Sequence, residues 1–154
     1  MRRRTESGQV GGLEAVAFGM LVLVMGVLIV SNAWGVIDAR TAASEAAREA
    51  ARTFATAPVR NDQQADTLAR QAASATLQEL GWQPVGASIR RTEGTFARCD
   101  VVTYEVDVSV PVFHLGWLQS GPSVFHARAT HTERVDPYRS GVPGSGPADC
   151  TGPA

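Results

Sequence analysis

The sequence predicts an α+β fold: a long amino-terminal transmembrane helix continuing into an Ala-rich helix, then a second helix, a three-stranded antiparallel sheet and a disulfide-pinned tail. Three observations predict it. Ala15 to Ile37 is an uninterrupted run of 23 uncharged residues. Asp38 to Ala57 holds nine Ala and neither Gly nor Pro, a composition with high helix propensity. After Pro84 the apolar spacing changes to alternation, the period of a half-buried strand.

Residues 1–14 form a basic head containing Arg2, Arg3 and Arg4, expected to lie in the cytoplasm. Ala15–Ile37 follows as the membrane segment. At 1.5 Å rise per residue it is about 35 Å long, enough to cross a hydrocarbon core of about 30 Å with some tilt. Twelve of its 23 residues are Val, Leu, Ile or Phe. Ser31 and Asn32 sit toward one end, and Asn32 and Trp34 suit the interface better than the midplane. A buried core helix is a weaker reading, because a helix apolar on every side rarely finds a core to fill all round. A cleaved secretory signal stays open as another, with Ser31-Asn32-Ala33 resembling its cleavage site. Gly12, Gly19, Gly26 and Ala33 recur every seven residues and place small side chains along one helix face, where a neighbouring helix can approach closely.

Charge alone does not orient the span. Arg40, Arg48 and Arg52 follow it and match the three arginines of the head. The second set is interleaved with acids and opens a sizeable domain, and such domains translocate largely regardless of charge. Two cysteines in the distal part favour an oxidising compartment. The domain 38–136 is therefore expected outside the membrane.

The helix is expected to run on to about Thr56, with Pro58 as the stop. Its Ala face forms a groove that other elements can fill. Glu45 and Glu49 alternate with Arg48 and Arg52 on an exposed face. Asn61 or Asp62 can cap a second helix over Gln63–Leu80, ended by Gly81. Its apolar face is read as Ala69, Ala73, Leu77 and Leu80, with Trp82 as a core anchor. Strands are predicted at Ala87–Thr92, Val101–Val110 and Ser123–Val135. The middle one is clearest: Val102, Tyr104, Val106, Val108 and Val110 alternate with Thr103, Glu105, Asp107 and Ser109. Pro111 ends its ladder. The stretch Val112–Pro122 is unusually apolar for a loop, and Phe113–Leu118 within it is a candidate contact surface. Pro137–Ala154, with four Pro and four Gly, is a tail without regular structure. A Cys99–Cys150 bridge would pin it to the sheet and stabilise the domain by about 4 kcal/mol in the chain-entropy treatment.

Composition narrows the chemistry. Residues 38–154 carry 11 Arg against 13 acids, so no basic face for nucleic acid is expected. The 14 basic residues are all Arg, and 23 Ala accompany them, which reads as coding bias in a GC-rich genome. Two Cys and three His are thin material for a metal centre. His126 and His131 are five apart and fall on opposite faces of a strand, while His114 stands alone. Glu105 and Asp107 share a strand face as ordinary polar residues of its wet side. Arg90 and Arg91 make a minor basic spot. The Gly-rich run Gly141–Gly146 lacks the preceding strand and following helix of a phosphate loop. No catalytic, cofactor or metal site and no small-molecule substrate is expected. Glu14 stands at the cytoplasmic mouth of the span, where a carboxylate is costly unless paired, for example with a cation on a neighbouring helix.

These features together resemble a known family. Ser7-Gly8-Gln9-Val10-Gly11-Gly12-Leu13-Glu14, the apolar span, and the Ala-rich stretch with Glu45-Ala46-Ala47-Arg48-Glu49-Ala50-Ala51-Arg52 look like the TadE-like pseudopilins. These are minor components of tight-adherence (Flp, type IVb-like) pili. The resemblance covers about the first 57 residues, and the rest only by overall shape. His131–Arg139 is similar to actinobacterial members. The resemblance implies a pilin-like fold and a structural, non-enzymatic role in the cell membrane. It implies partners among other pilin and pseudopilin subunits, the Tad secretion machinery and the prepilin peptidase. It also implies removal of the basic leader with retention of the helix. The family pattern places a small residue before the cut and Glu fifth after it. Glu14 becomes fifth if the cut falls between Gln9 and Val10, and sixth if it falls after the small Gly8.

Overall fold

The computed structural model describes residues 10–83, 86–111, 124–144 and 150. The first element, α1, is one unbroken helix over Val10–Thr56. Its 47 residues give a length of about 70 Å. It starts five residues ahead of the apolar run and ends where the sequence predicts, just ahead of Pro58.

The second helix, α2, covers Asp62–Glu79. Asn61 is its cap: the side-chain Oδ1 accepts from the backbone N–H of Gln63 at 2.8 Å and of Gln64 at 3.3 Å. At the other end Gly81 has φ 83°, the left-handed turn that favours glycine. Trp82 N–H donates to the Leu77 carbonyl at 2.8 Å, and Gly81 N–H to the Gln78 carbonyl at 3.0 Å. This reversal carries Trp82 back onto the core, as expected of it. It also corrects one expectation. Ala69, Ala73 and Leu77 are buried together with Ala65, but Leu80 is 48% exposed. Leu80 is the cap residue itself, and the reversing chain leaves its side chain in solvent.

Three antiparallel strands follow in the order β1 (Ala87–Glu93), β2 (Val101–Pro111) and β3 (Val124–Arg134). Their bounds lie within a residue of the predicted ones at each end. β2 is central. Val106 pairs with Ile89 on one side and Ala129 on the other, and Val110 pairs with Phe125. The alternation in β2 divides as its period demands: Val102, Tyr104, Val106, Val108 and Val110 are all buried.

The Ala half of α1 is the centre of the core. Ala39, Ala42, Ala43, Ala46, Ala47, Ala50, Ala51 and Ala55 are buried, and α1 packs on α2, β2 and β3. Adjacent positions such as 46 and 47 are both covered, so two layers meet on a helix thin enough to admit both. Phe54 fills the wider upper end. Its ring lies 5.3 Å from Phe96, edge-on, and 5.8 Å from Tyr104.

Cys99 and Cys150 are joined in a disulfide, with Cα atoms 5.0 Å apart, within the normal span of such a bridge. Residues 137–144 of the tail are turns and bends, yet they pack closely. Val142 is 5% exposed, and Arg98 N–H donates to the Pro143 carbonyl at 2.8 Å. The Arg139 guanidinium donates to the carbonyls of Ala55, Thr56 and Ala57. It thereby caps the carboxyl end of α1, where the helix dipole favours a cation. No pattern in the sequence pointed to this contact.

Candidate functional site

The lower half of α1 is the most unusual surface of the molecule. Phe18, Met20, Leu21, Leu23, Val27, Ile29, Val30 and Ile37 are exposed, and Trp34 is 72% exposed. α1 is the one helix among the described residues that is long and apolar enough to cross a membrane. A run this size left bare in water would be strongly unfavourable, at about 25 cal/mol per Å² of apolar area. The polar Asn32 inside it donates its amide to the Leu28 carbonyl at 2.8 Å, within the helix itself.

The small residues predicted for helix packing lie in α1. A Cβ placed on Gly19 or Gly26 would meet nothing within 4 Å, and Ala33 is exposed. The stripe is thus open at Gly19, Gly26 and Ala33. Gly12 belongs to the first turns of the same helix. Of the residues expected at the leader cut, Val10 is the first residue of α1 and Glu14 is exposed one turn further on. Gly8 and Gln9 lie outside the described residues, as does the Phe113–Leu118 loop.

The outer face of the sheet carries a second arrangement. Glu105 accepts from Arg90 at 2.6 and 2.9 Å and lies 3.5 Å from Arg128 Nε. Asp107 accepts from Arg128 Nη2 at 3.0 Å and is bonded to His126 Nδ1 at 2.9 Å. The long side chains cover both carboxylates, which are largely buried although they sit on the solvent face. Burial pushes the Asp107 carboxyl up, but the hydrogen bonds from His126 and Arg128 outweigh it and hold the group below the usual carboxylate range. Arg90 serves Glu105, His126 serves Asp107, and Arg128 lies between the two acids and reaches both. A shallow depression of about 300 Å³ adjoins them, lined by Ser88, Asp107, Ser109 and His126.

Arg90 and Arg91 do not form the basic spot expected of them. Successive strand residues point to opposite faces, and each arginine finds an acid there. Arg91 turns inward, clamps Asp62 through two bonds of 2.6 Å, and lies 4.8 Å over the Phe54 ring. Asp62 also accepts Phe96 N–H at 2.7 Å. The Arg91 guanidinium, with smaller help from that backbone bond, holds the Asp62 carboxyl below its ordinary range. Beside it the Tyr104 hydroxyl donates to Asp66 at 2.6 Å. Burial first, and this bond second, push the Tyr104 hydroxyl well above its ordinary value. The knot ties both helices to the sheet, and its partners satisfy one another. One signal pointed to it: a Tyr at an inward position of an otherwise all-Val row needs a polar partner.

His126 and His131 fall on opposite strand faces, as their spacing predicts. His131 lies opposite Tyr104, 3.7 Å from Glu133. Among the described residues no group of three or more His, Cys, Asp or Glu is placed to hold a metal. Glu45, Arg48 and Arg52 lie on the exposed face of α1 as expected, and Glu49, half-buried beside them, accepts from Thr53 at 3.3 Å.

Comparison with protein-family models, with curated proteins and with solved structures finds no match. The geometry therefore defines only a coarse class: an α+β domain carried on a helix long and apolar enough to span a membrane.

Proposed function

We propose that this chain is a membrane-anchored, TadE-like minor pilin or pilus-assembly protein of a Flp/Tad-type pilus, structural and non-catalytic. The observation that carries the reading is the continuity of α1. One helix is bulky, apolar and exposed below, and it forms the Ala core of a folded domain above. A subunit that is first held in a bilayer and then stacked by the same helix needs both halves on one rigid rod. The resemblance of Ser7–Glu14 and Glu45–Arg52 to the TadE-like pseudopilins supports it. In this reading the head faces the cytoplasm, the domain is extracytoplasmic, and the partners are other pilin or pseudopilin subunits, the Tad secretion machinery and the prepilin peptidase. Glu14 would be paired by a cation of a neighbouring subunit, with the Gly12, Gly19, Gly26 and Ala33 stripe as a helix-packing face.

The test is the intact mass of the mature protein from its native membrane. Loss of eight or nine residues is expected. Loss of 33 would mean a secreted domain and would end the proposal. No loss would favour a second reading, a single-pass protein whose extracytoplasmic domain binds a ligand or partner. The depression beside His126 and Asp107 is the feature that favours that alternative.

A further inference from the structure

Two contacts fix the direction of β2 along α1. Near the top, Phe54 meets Tyr104 at the start of the strand. Near the bottom, a Cβ on Gly35 would lie 3.8 Å from Val110 Cγ1, at the strand's end. β2 therefore descends antiparallel to α1 and arrives where the uncharged run stops. Gly35 is two residues short of Ile37, about 3 Å along the axis. The register then places β3 as well. Phe125 pairs with Val110 and Val124 with Pro111, so β3 begins at the same height.

At that height apolar side chains from helix and sheet are exposed together. Trp34 and Ile37 come from α1, and Val124 and Phe125 from β3, with Phe125 47% exposed. Higher on β3 the exposed positions are polar: His126, Arg128, Thr130 and Thr132. Apolar exposure on this strand is thus confined to its lower end. Aromatic side chains at one level, polar ones above and a continuous apolar helix below make up the profile of a membrane–water boundary.

We propose that the lower end of the sheet rests on the bilayer surface, so that the protein touches lipid twice, through α1 and through Val124 and Phe125. The occupant of this surface is the lipid interface, because it is continuous with the spanning face of α1. The inference rests on reading α1 as a transmembrane helix. Two contacts at one level hold the domain at a fixed tilt, where a single helix would let it swing.

The test uses the full chain in phosphatidylcholine–phosphatidylglycerol vesicles. The photo-crosslinking residue benzoylphenylalanine is placed at Val24, Phe125 or Tyr138 in separate preparations. Tyr138 is 79% exposed and neighbours Arg139, which binds the top of α1. Lipid adducts are expected at 24 and 125 and several-fold fewer at 138. Adducts at 24, with 125 no richer than 138, would overturn the inference and leave the span intact. No adducts at 24 would overturn the span, and the inference with it. Adducts from 125 to a second copy of the chain in place of lipid would also overturn it. Hydroxyl-radical footprinting of the unaltered chain in the same vesicles gives an independent reading. After correction for intrinsic reactivity, Phe125 is expected to be several-fold less modified than Tyr138, and equal modification would count against the contact.

Discussion

The two halves of α1 invert the usual relation between size and burial. Below Asp38 the side chains are large, and most of them are exposed among the described residues: Val, Leu, Ile, Met and Phe face outward. Above Asp38 the side chains are small, and they are buried: eight alanines and Phe54 carry α2 and the sheet. A soluble helix would place its bulk inside, where each large side chain contributes about 1.5–3 kcal/mol. Here bulk is kept where the described elements leave the helix exposed, and slimness where two layers must meet on one rod. The lower half is long and apolar enough to cross a membrane, while the upper half is the core of the chain's own fold.

The sharpest way to break this contrast is to empty the one large upper position. Phe54→Ala removes the ring shared by Phe96, Tyr104 and Arg91, and should cost about 3–5 kcal/mol of domain stability in denaturant unfolding. Membrane extraction behaviour should not change, because the lower half is untouched. A variant that loses its membrane association would show the halves to be coupled.

Filling a small upper position tests the same idea from the other side. Ala46 is fully buried, and Ala46→Leu should destabilise the domain by about 1–3 kcal/mol through overpacking. If Leu at 46 is tolerated or stabilising, the slimness of this half is not a requirement of packing.

Acid should act on the upper half alone. The Asp62 carboxyl is held below its ordinary range by Arg91, so its folded pKa is lower than its unfolded one. A depressed carboxylate stabilises above the unfolded value, about 3.9, and that stability is lost as pH falls through the folded value. The thermal midpoint should therefore drop as pH is lowered from about 5 to about 3. Asp62→Asn should flatten that slope, and a variant with the same slope would remove Asp62 from the account.

The smallest effect is expected in the lower half. Gly26→Ala adds a methyl where nothing lies within 4 Å, so domain stability should change by less than about 0.5 kcal/mol. Association of copies in detergent or bilayer should weaken if the stripe is a packing face. Unchanged association would leave Gly26 as a residue without a contact to make.

The elements were largely legible because their signals are local. Pro58 stops α1, Asn61 caps α2, and the Val row of β2 shows its inner face directly. The Cys99–Cys150 pairing was legible because only two cysteines exist. Leu80 failed because helical spacing was extended through a residue that the Gly81 reversal turns outward. The partners in the polar ties were illegible for a different reason, although the inward Tyr104 signalled that it needed one. Arg91 reaches Asp62 across 29 residues, Tyr104 reaches Asp66 across 38, and Arg139 reaches Ala55 across 84. No period in the sequence connects positions so far apart; only the packed fold brings them together. The lower half of α1 was legible as a helix long and apolar enough to cross a membrane and silent about partners, since any apolar neighbour satisfies the same surface.

Alkaline extraction of native membranes, followed by sequencing the amino terminus of the extracted chain, addresses the division of α1 most directly. The chain should stay with the membrane until detergent is added, and its first residue should lie at or before Val10. A chain released into the aqueous fraction and beginning at Trp34 would contradict the account, because the helix would then have lost the half that anchors it.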